Sequence, residues 1–288
     1  MADNPTRIIA LVDGSSYSAS VCDHAAWASK RLGLGVELFH ILGRREQSSV
    51  PADLSGSLKL GARTALLDEL AKSDAERAKL NHARGRLILE DAATRLRNDG
   101  VTQIEERLRN DDLLSTISEF EKDARLLVVG KRGEASAFAH EHLGSNLERI
   151  LRSVTRPVLV ANRAFKEVES YLVAFDGSRA VMNSIDRIAA GSMLDGLPCT
   201  LLHVGERTSA MQAQMEGAAA LIAPKAGPVT INFVSGEPDK TIADRIEADG
   251  TDLLVMGASG HNRIKRLFLG STSSSMARLC KVPVVIFR

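Results

Sequence analysis

LLVMGASGHNRIKRLFLGSTSSSM, Leu253 to Met276, holds a complete structural unit in one stretch. Leu253 to Met256 is an apolar run with the profile of a buried strand, and Gly257 to Gly260 marks a tight turn leaving the sheet. Gly270, Ser271, Thr272 and Ser273 then open a helix. The hydroxyl residues are good N-caps, and Met276, Leu279 and Cys280 recur at helical spacing behind them. The free N–H groups and positive end of such a helix face whatever lies in the turn, which suits a phosphate chain. Arg263, Lys265 and Arg266 bring positive charge to the same loop. The plainer reading of those three is a solvated loop face.

Working outward, the unit has a partner. Leu126-Leu-Val-Val-Gly130 matches Leu253-Leu-Val-Met-Gly257, Gly144-Ser145 matches Gly270-Ser271, and Arg156-Pro-Val-Leu-Val160 matches Val282-Pro-Val-Val-Ile286. Earlier in each half, Ile8-Ile-Ala-Leu-Val12 ends in Asp13-Gly14-Ser15 and Tyr171-Leu-Val-Ala-Phe175 ends in Asp176-Gly177-Ser178. Leu38-Phe-His-Ile41 likewise answers Leu201-Leu-His-Val204. The order is kept throughout, so the chain reads as a tandem duplication with domains at 1–163 and 168–288, divided near Asn162 to Glu169.

Near-continuous apolar runs alternate with longer stretches of helical period, the pattern of a parallel sheet covered on both faces. The expected class is therefore α/β: two tandem doubly wound domains, each a Rossmann-like five-stranded parallel sheet of order 3-2-1-4-5. Expected strands are Arg7–Val12, Val36–Leu42, Ile104–Leu108, Leu126–Val129 and Val158–Ala161, then Tyr171–Phe175, Cys199–Val204, Val229–Val234, Leu253–Met256 and Val284–Phe287. In such a sheet the ligand sits beyond the carboxyl ends of the strands, where their order reverses. Asp176, Val204 and Gly257 all lie at such ends. The halves differ mainly at Gly43–Gly100, where a long helix over about Thr64–Asn98, with a break at Gly85, is read as cover for the sheet. The apolar final strands need cover as well, and the two halves are expected to supply it to each other as an intramolecular pseudo-dimer.

Lys and Arg number 37 against 36 Asp and Glu, a net charge of +1, so no global pull toward nucleic acid or a membrane is expected. Cys22, Cys199 and Cys280 lack metal-type spacing, and no segment has the length of a membrane span or a signal-peptide core. A reducing cytoplasm is the expected compartment. Walker-type, nucleophile-elbow and dinucleotide glycine signatures are all missing from the sequence, which argues against the usual hydrolases and dehydrogenases.

The spacing Gly257-x2-Gly260-x9-Gly270-Ser271, with Pro283-Val-Val-Ile286 as a last strand, resembles the nucleotide-binding motif of the universal stress protein family. The resemblance covers the chain apart from the insertion. It implies that Asp176 and the backbone at Val204 meet adenosine, while Gly257, Gly260, Gly270, Ser271, Thr272 and Ser273, with Arg263 beside them, hold ribose and phosphates. The implied cofactor is ATP, with Mg2+ as a companion ion. The implied role is that of a stress-responsive regulator with an unnamed protein partner, alone or as a homodimer. Alternatives are slow ATP hydrolysis, nucleotidyl transfer, or an interaction protein whose loops stay empty; no residue reads as a general base.

Asp13, Ile41, Gly130, Gly133, Gly144, Ser145 and Asn146 outline a weaker site in the first half. There the Gly133–Gly144 loop is one residue longer, carries Glu134 and Glu141 with no Lys or Arg, and leads to Leu147 and Glu148 where the second half has Ser273 and Ser274. Lys131 and Arg132 are the local compensation. His140-Glu141-His142 lacks a third ligand, so no metal site is expected. His40 and His203, at apolar strand ends, read as satisfied histidines at the core edge.

Overall fold

The computed structural model describes residues 6–42, 60–132, 145–191, 193–258 and 271–288. The first half runs β1 (Arg7–Leu11), α1 (Ser18–Leu32), β2 (Gly35–Ile41), α2 (Leu60–Asn98), β3 (Ile104–Arg109), α3 (Leu113–Phe120), β4 (Ala124–Gly130), α4 (Ser145–Ser153) and β5 (Val158–Ala161). The second follows with β6 (Tyr171–Ala174), α5 (Arg179–Ala190), β7 (Cys199–Val204), α6 (Ser209–Ile222), β8 (Val229–Val234), α7 (Pro238–Asp249), β9 (Leu253–Gly257), α8 (Ser271–Leu279) and β10 (Val284–Phe287). The strands fall on the apolar runs, with some ends displaced by a residue or two. Val12 and Phe175 lie just past β1 and β6, yet each still donates to the neighbouring strand, at Phe39 O (2.9 Å) and Leu202 O (2.8 Å).

All ten strands form one sheet of order β3-β2-β1-β4-β5-β10-β9-β6-β7-β8. Each half is thus a parallel sheet of order 3-2-1-4-5, and the halves meet edge to edge through the antiparallel pair β5–β10. Leu159 and Val285, equivalent in the repeat, face each other in that pair, so a pseudo-twofold axis passes between them. Each strand edge, which alone would expose unpaired N–H and C=O groups, is covered by its counterpart.

Alternation along the strands sorts side chains to the two faces. Ile8, Ala10 and Leu38 join Val21 and Ala25 of α1, Leu89 and Leu96 of α2, Ile185 of α5 and Met215 of α6 in one core. Ile9 and Phe39 join Ile117 of α3, Ile150 of α4, Ile246 of α7 and Met276 of α8 in the other. Glu37 on β2 is only 1 % exposed, and Arg7 and Arg107 on the flanking strands pair with it. A carboxylate so far from water needs such partners.

The insertion differs from its sequence reading in two ways. Helix α2 starts at Leu60 and runs unbroken through Gly85 to Asn98. Gly85 marks a close approach: a Cβ there would lie 2.7 Å from Leu108 Cδ1 and 2.8 Å from His40 Cδ2. The second difference concerns cover. Gly85, Leu89, Ala92, Ala93 and Leu96 are buried, but no residue from Glu69 to Arg84 is. Among the described side chains those on the sheet come from the last third of the helix, and the stretch from Glu69 to Arg84 before it spans about 24 Å at ~1.5 Å per residue.

All three cysteines are buried and unpaired. Burial pushes the thiols of Cys22 and Cys199 up to about 12, raises that of Cys280, and raises the Tyr171 phenol too. The folded chain therefore keeps protons that the unfolded chain releases above about pH 9, and stability must fall as pH rises from there toward 12. Thermal melts at pH 7 to 11 should show that fall, with a shallower slope in Cys199→Ala. Equal slopes would show that the thiol carries none of it.

Candidate functional site

In the second half the strand order reverses between β6 and β9, and the crevice at their carboxyl ends is bordered by Asp176, Val204 and Gly257. Asp176 closes a turn by accepting from Ser178 N through Oδ1 at 2.9 Å, and Ser178 Oγ in turn accepts from Val181 N to cap α5. Among the described residues Oδ2 of Asp176 makes no hydrogen bond, leaving an acceptor for a donor from outside the fold. Val204 ends β7 half-buried; beside it His203 Nδ1 lies 2.8 Å from Phe175 O, tying the end of β7 to that of β6. His40 repeats this tie to Val12 O at 2.8 Å. Both histidines have structural partners.

At the end of β9, Gly257 is required by packing. A Cβ there would sit 2.8 Å from Val181 N and 2.9 Å from Ala180 C, inside the first turn of α5. The close approach at this glycine is to a helix of the same chain. Ser273 is also turned inward: it is 4 % exposed, and its Oγ donates to Gly257 O at 2.8 Å. That bond pins the first turn of α8 against the end of β9. Ser271 opens α8 and Thr272, half-buried, follows. Gly260, Arg263 and Gly270 lie outside the described residues, as do Lys265 and Arg266.

The first half keeps the frame and changes its fittings. Asp13 Oδ1 accepts from both Ser15 N (3.0 Å) and Ser18 Oγ (3.2 Å), so it is more engaged than Asp176. Ile41 ends β2 half-buried, Ser145 opens α4, and Asn146 is exposed. A Cβ on Gly130 would meet Tyr17 Cβ at 2.9 Å. Tyr17 holds the place of Ala180, and a phenol ring thus replaces a methyl group beside the crevice. Leu147, 3 % exposed, packs into the core at the position where α8 has Ser273 and its bond to β9. Lys131 is engaged with the other half: its Nζ donates to Cys280 O at 2.6 Å, at the C-terminus of α8, and burial lowers its pKa to about 8. Gly133, Gly144, Glu134, Glu141 and the His140-Glu141-His142 run lie outside the described residues.

The exchange of Ala180 for Tyr17 follows from the repeat register, but that each packs against the glycine ending β9 or β4 had no sequence signal. Among the described residues no group of acidic, His or Cys side chains could hold a metal, and no helix is long and apolar enough to cross a membrane.

A model of the universal stress protein family matches residues 5–162 and 202–288. Universal stress protein Slr1230 of Synechocystis is 34 % identical over 98 % of this chain and 99 % of its own length. A universal stress protein of Mycolicibacterium smegmatis is 24 % identical over 64 % of this chain and 69 % of its own. The crystal structure of a universal stress protein from Archaeoglobus fulgidus superposes with a TM-score of 0.70 at 21 % identity, covering 99 % of both chains, a likeness of fold. The interval left out of the family match holds β6 and α5, whose place beside β7 and β9 is nevertheless that of β1 and α1 beside β2 and β4.

Proposed function

The chain belongs to the universal stress protein family, and from that premise we propose that its second half binds ATP or a related adenine nucleotide and serves as a regulatory module in a stress response. The observation that carries this is the seat of α8. The Ser273–Gly257 bond fixes the positive end of that helix at the strand-order reversal, across the crevice from the Asp176 carboxylate. A helix N-terminus favours phosphate, and a carboxylate with a spare acceptor suits a ribose hydroxyl. The backbone at Val204, at the end of β7 on the other side of Asp176 from α8, is left for the base. Mg2+ would enter with the phosphates, since the described residues supply no cation cluster of their own.

Binding rather than rapid catalysis is the reading favoured by the titratable groups. The two histidines at the strand ends are tied to carbonyl oxygens. Mass spectrometry of nucleotide released from the protein as purified tests the proposal directly. Adenine nucleotide at close to one per chain is expected; a chain that purifies empty and takes up no ATP in titration would overturn it. Prolonged incubation with ATP should yield ADP slowly or no product, whereas AMP and pyrophosphate at catalytic rates would replace the binding module with a nucleotidyl transferase.

A further inference from the structure

A cleft lies where the two halves meet, on the face covered by α1 and α5. Arg125, Leu126, Arg187, Ile188, Leu194 and Phe287 are among its walls, and it holds about 450 Å³ of atom-free space, counting its open mouth. The walls are apolar apart from the two guanidinium groups. Arg187 is held below the usual arginine range by burial and by repulsion from Arg125 and Arg156, and among the described residues no carboxylate offsets this. Arg156 is directed elsewhere, to Glu121 O and Lys122 O. A half-buried guanidinium repelled by two others at the wall of an apolar cleft is an unfavourable arrangement for a merely structural feature.

The pseudo-twofold axis shows what such a cleft accepts. In the repeat, Ile8 and Leu126 correspond to Tyr171 and Leu253, and each pair is joined in the same register. Arg125 therefore corresponds to Asp252, and Arg187, on α5, to His24 on α1. At that symmetry-related position the cleft is filled by the connection between β5 and β6. Phe165 sets its ring edge-on to His24 at 5.0 Å, and Lys166 Nζ donates to Asp252 Oδ1 at 2.6 Å. Asp252 Oδ2 takes further bonds from Glu169 N and Ser170 N, both at 3.1 Å. The filler there is an apolar group followed by a cation, matched to a carboxylate wall. On the other side the wall has the opposite charge, Arg125 standing where the mate has Asp252.

We propose that the Arg125–Arg187 cleft is a binding site for a compact organic anion, an apolar body of a few carbons bearing one oxyanion group. The apolar body takes the place that Phe165 has in the mate, and the oxyanion takes the place of the Lys166 ammonium with the charges reversed. Arginine suits this task, because its planar fork pairs with two oxygens of one carboxylate or phosphate group. Arg31 braces the cleft rim by donating to Met193 O and Asp195 O from the end of α1. The site is separate from the β6–β9 crevice, being set at the amino end of β4 and the C-terminal end of α5.

Calorimetric titration of the full chain with hexanoate, hexanol and inorganic phosphate tests this, with Arg187→Met and Arg125→Met as variants. Hexanoate should bind at one site per chain, with ATP present or absent, and about tenfold more weakly or worse in either variant. Hexanol lacks the charge and phosphate lacks the apolar body, so each should also bind at least about tenfold more weakly than hexanoate. Both variants should fold and keep their response to ATP; Arg187→Met should melt no lower than the parent because it removes a like-charge repulsion. Absence of saturable hexanoate binding, equal binding of hexanol or phosphate, displacement of hexanoate by ATP, or unchanged binding in both variants would each overturn the proposal. Failure of both variants to fold would do so too, by showing that the arginines hold the structure together.

Discussion

Replacing Gly257 by valine should cost the fold about 3 kcal/mol or more, at the upper end of what overpacking does. The argument rests on what the new atoms meet. Even a Cβ would lie 2.8 Å from Ala180 Cβ, 2.8 Å from Val181 N and 2.9 Å from Ala180 C. Two of these are backbone atoms in the first turn of α5, a helix whose cap is already fixed by Ser178 and whose Val181 and Ile185 are buried. Neither the strand nor the helix can yield without moving the Asp176 turn. Gly217 in α6 is a control, since a Cβ there meets nothing within 4 Å. Gly217→Ala should be neutral or stabilise by up to about 1 kcal/mol. Urea denaturation would measure both. A Gly257→Val protein with an unchanged midpoint would mean that α5 packs elsewhere, and the crevice with it.

The second large effect is an asymmetry in nucleotide binding. Titration with ATP should saturate near one tight site per chain, although the fold supplies two frames. The second loop carries Arg263, Lys265 and Arg266, and the first carries Glu134 and Glu141. Each such charge about 6 Å from a phosphate is worth on the order of 1 kcal/mol at an effective dielectric of several tens, reduced by salt. Together they separate the two affinities by about 100-fold or more. The structure adds three differences in the same direction: the Tyr17 ring in place of Ala180, Leu147 in place of the Ser273 tie, and Lys131 committed to Cys280 O. Gly270→Asp, which places a negative side chain where the helix N-terminus meets phosphate, should abolish the tight signal, and Gly144→Asp should leave it. Two equal sites, or loss only in Gly144→Asp, would reverse the assignment.

The sequence by itself determined the repeat and the α/β class of each half. Buried parallel strands are continuous apolar runs, and the paired phrases ending in Asp13-Gly14-Ser15 and Asp176-Gly177-Ser178 set the register between halves with little room for error. It also singled out the strand-end residues and the helix start that border the crevice, because turns and caps depend on local chemistry. What those residues touch was decided by tertiary structure. Gly257 makes room for α5, Ser273 holds β9, and Lys131, beside the first loop in sequence, caps a helix of the other half. Gly85 reads as a break and is a point of contact in a continuous helix. The Arg125–Arg187 cleft has no sequence signature at all, since its walls come from α1, β4, α5 and β10. A glycine, a hydroxyl or a cation announces in sequence only what it can do. Which partner it meets depends on elements far apart in the chain, and these come together only when the two half-sheets join at β5 and β10.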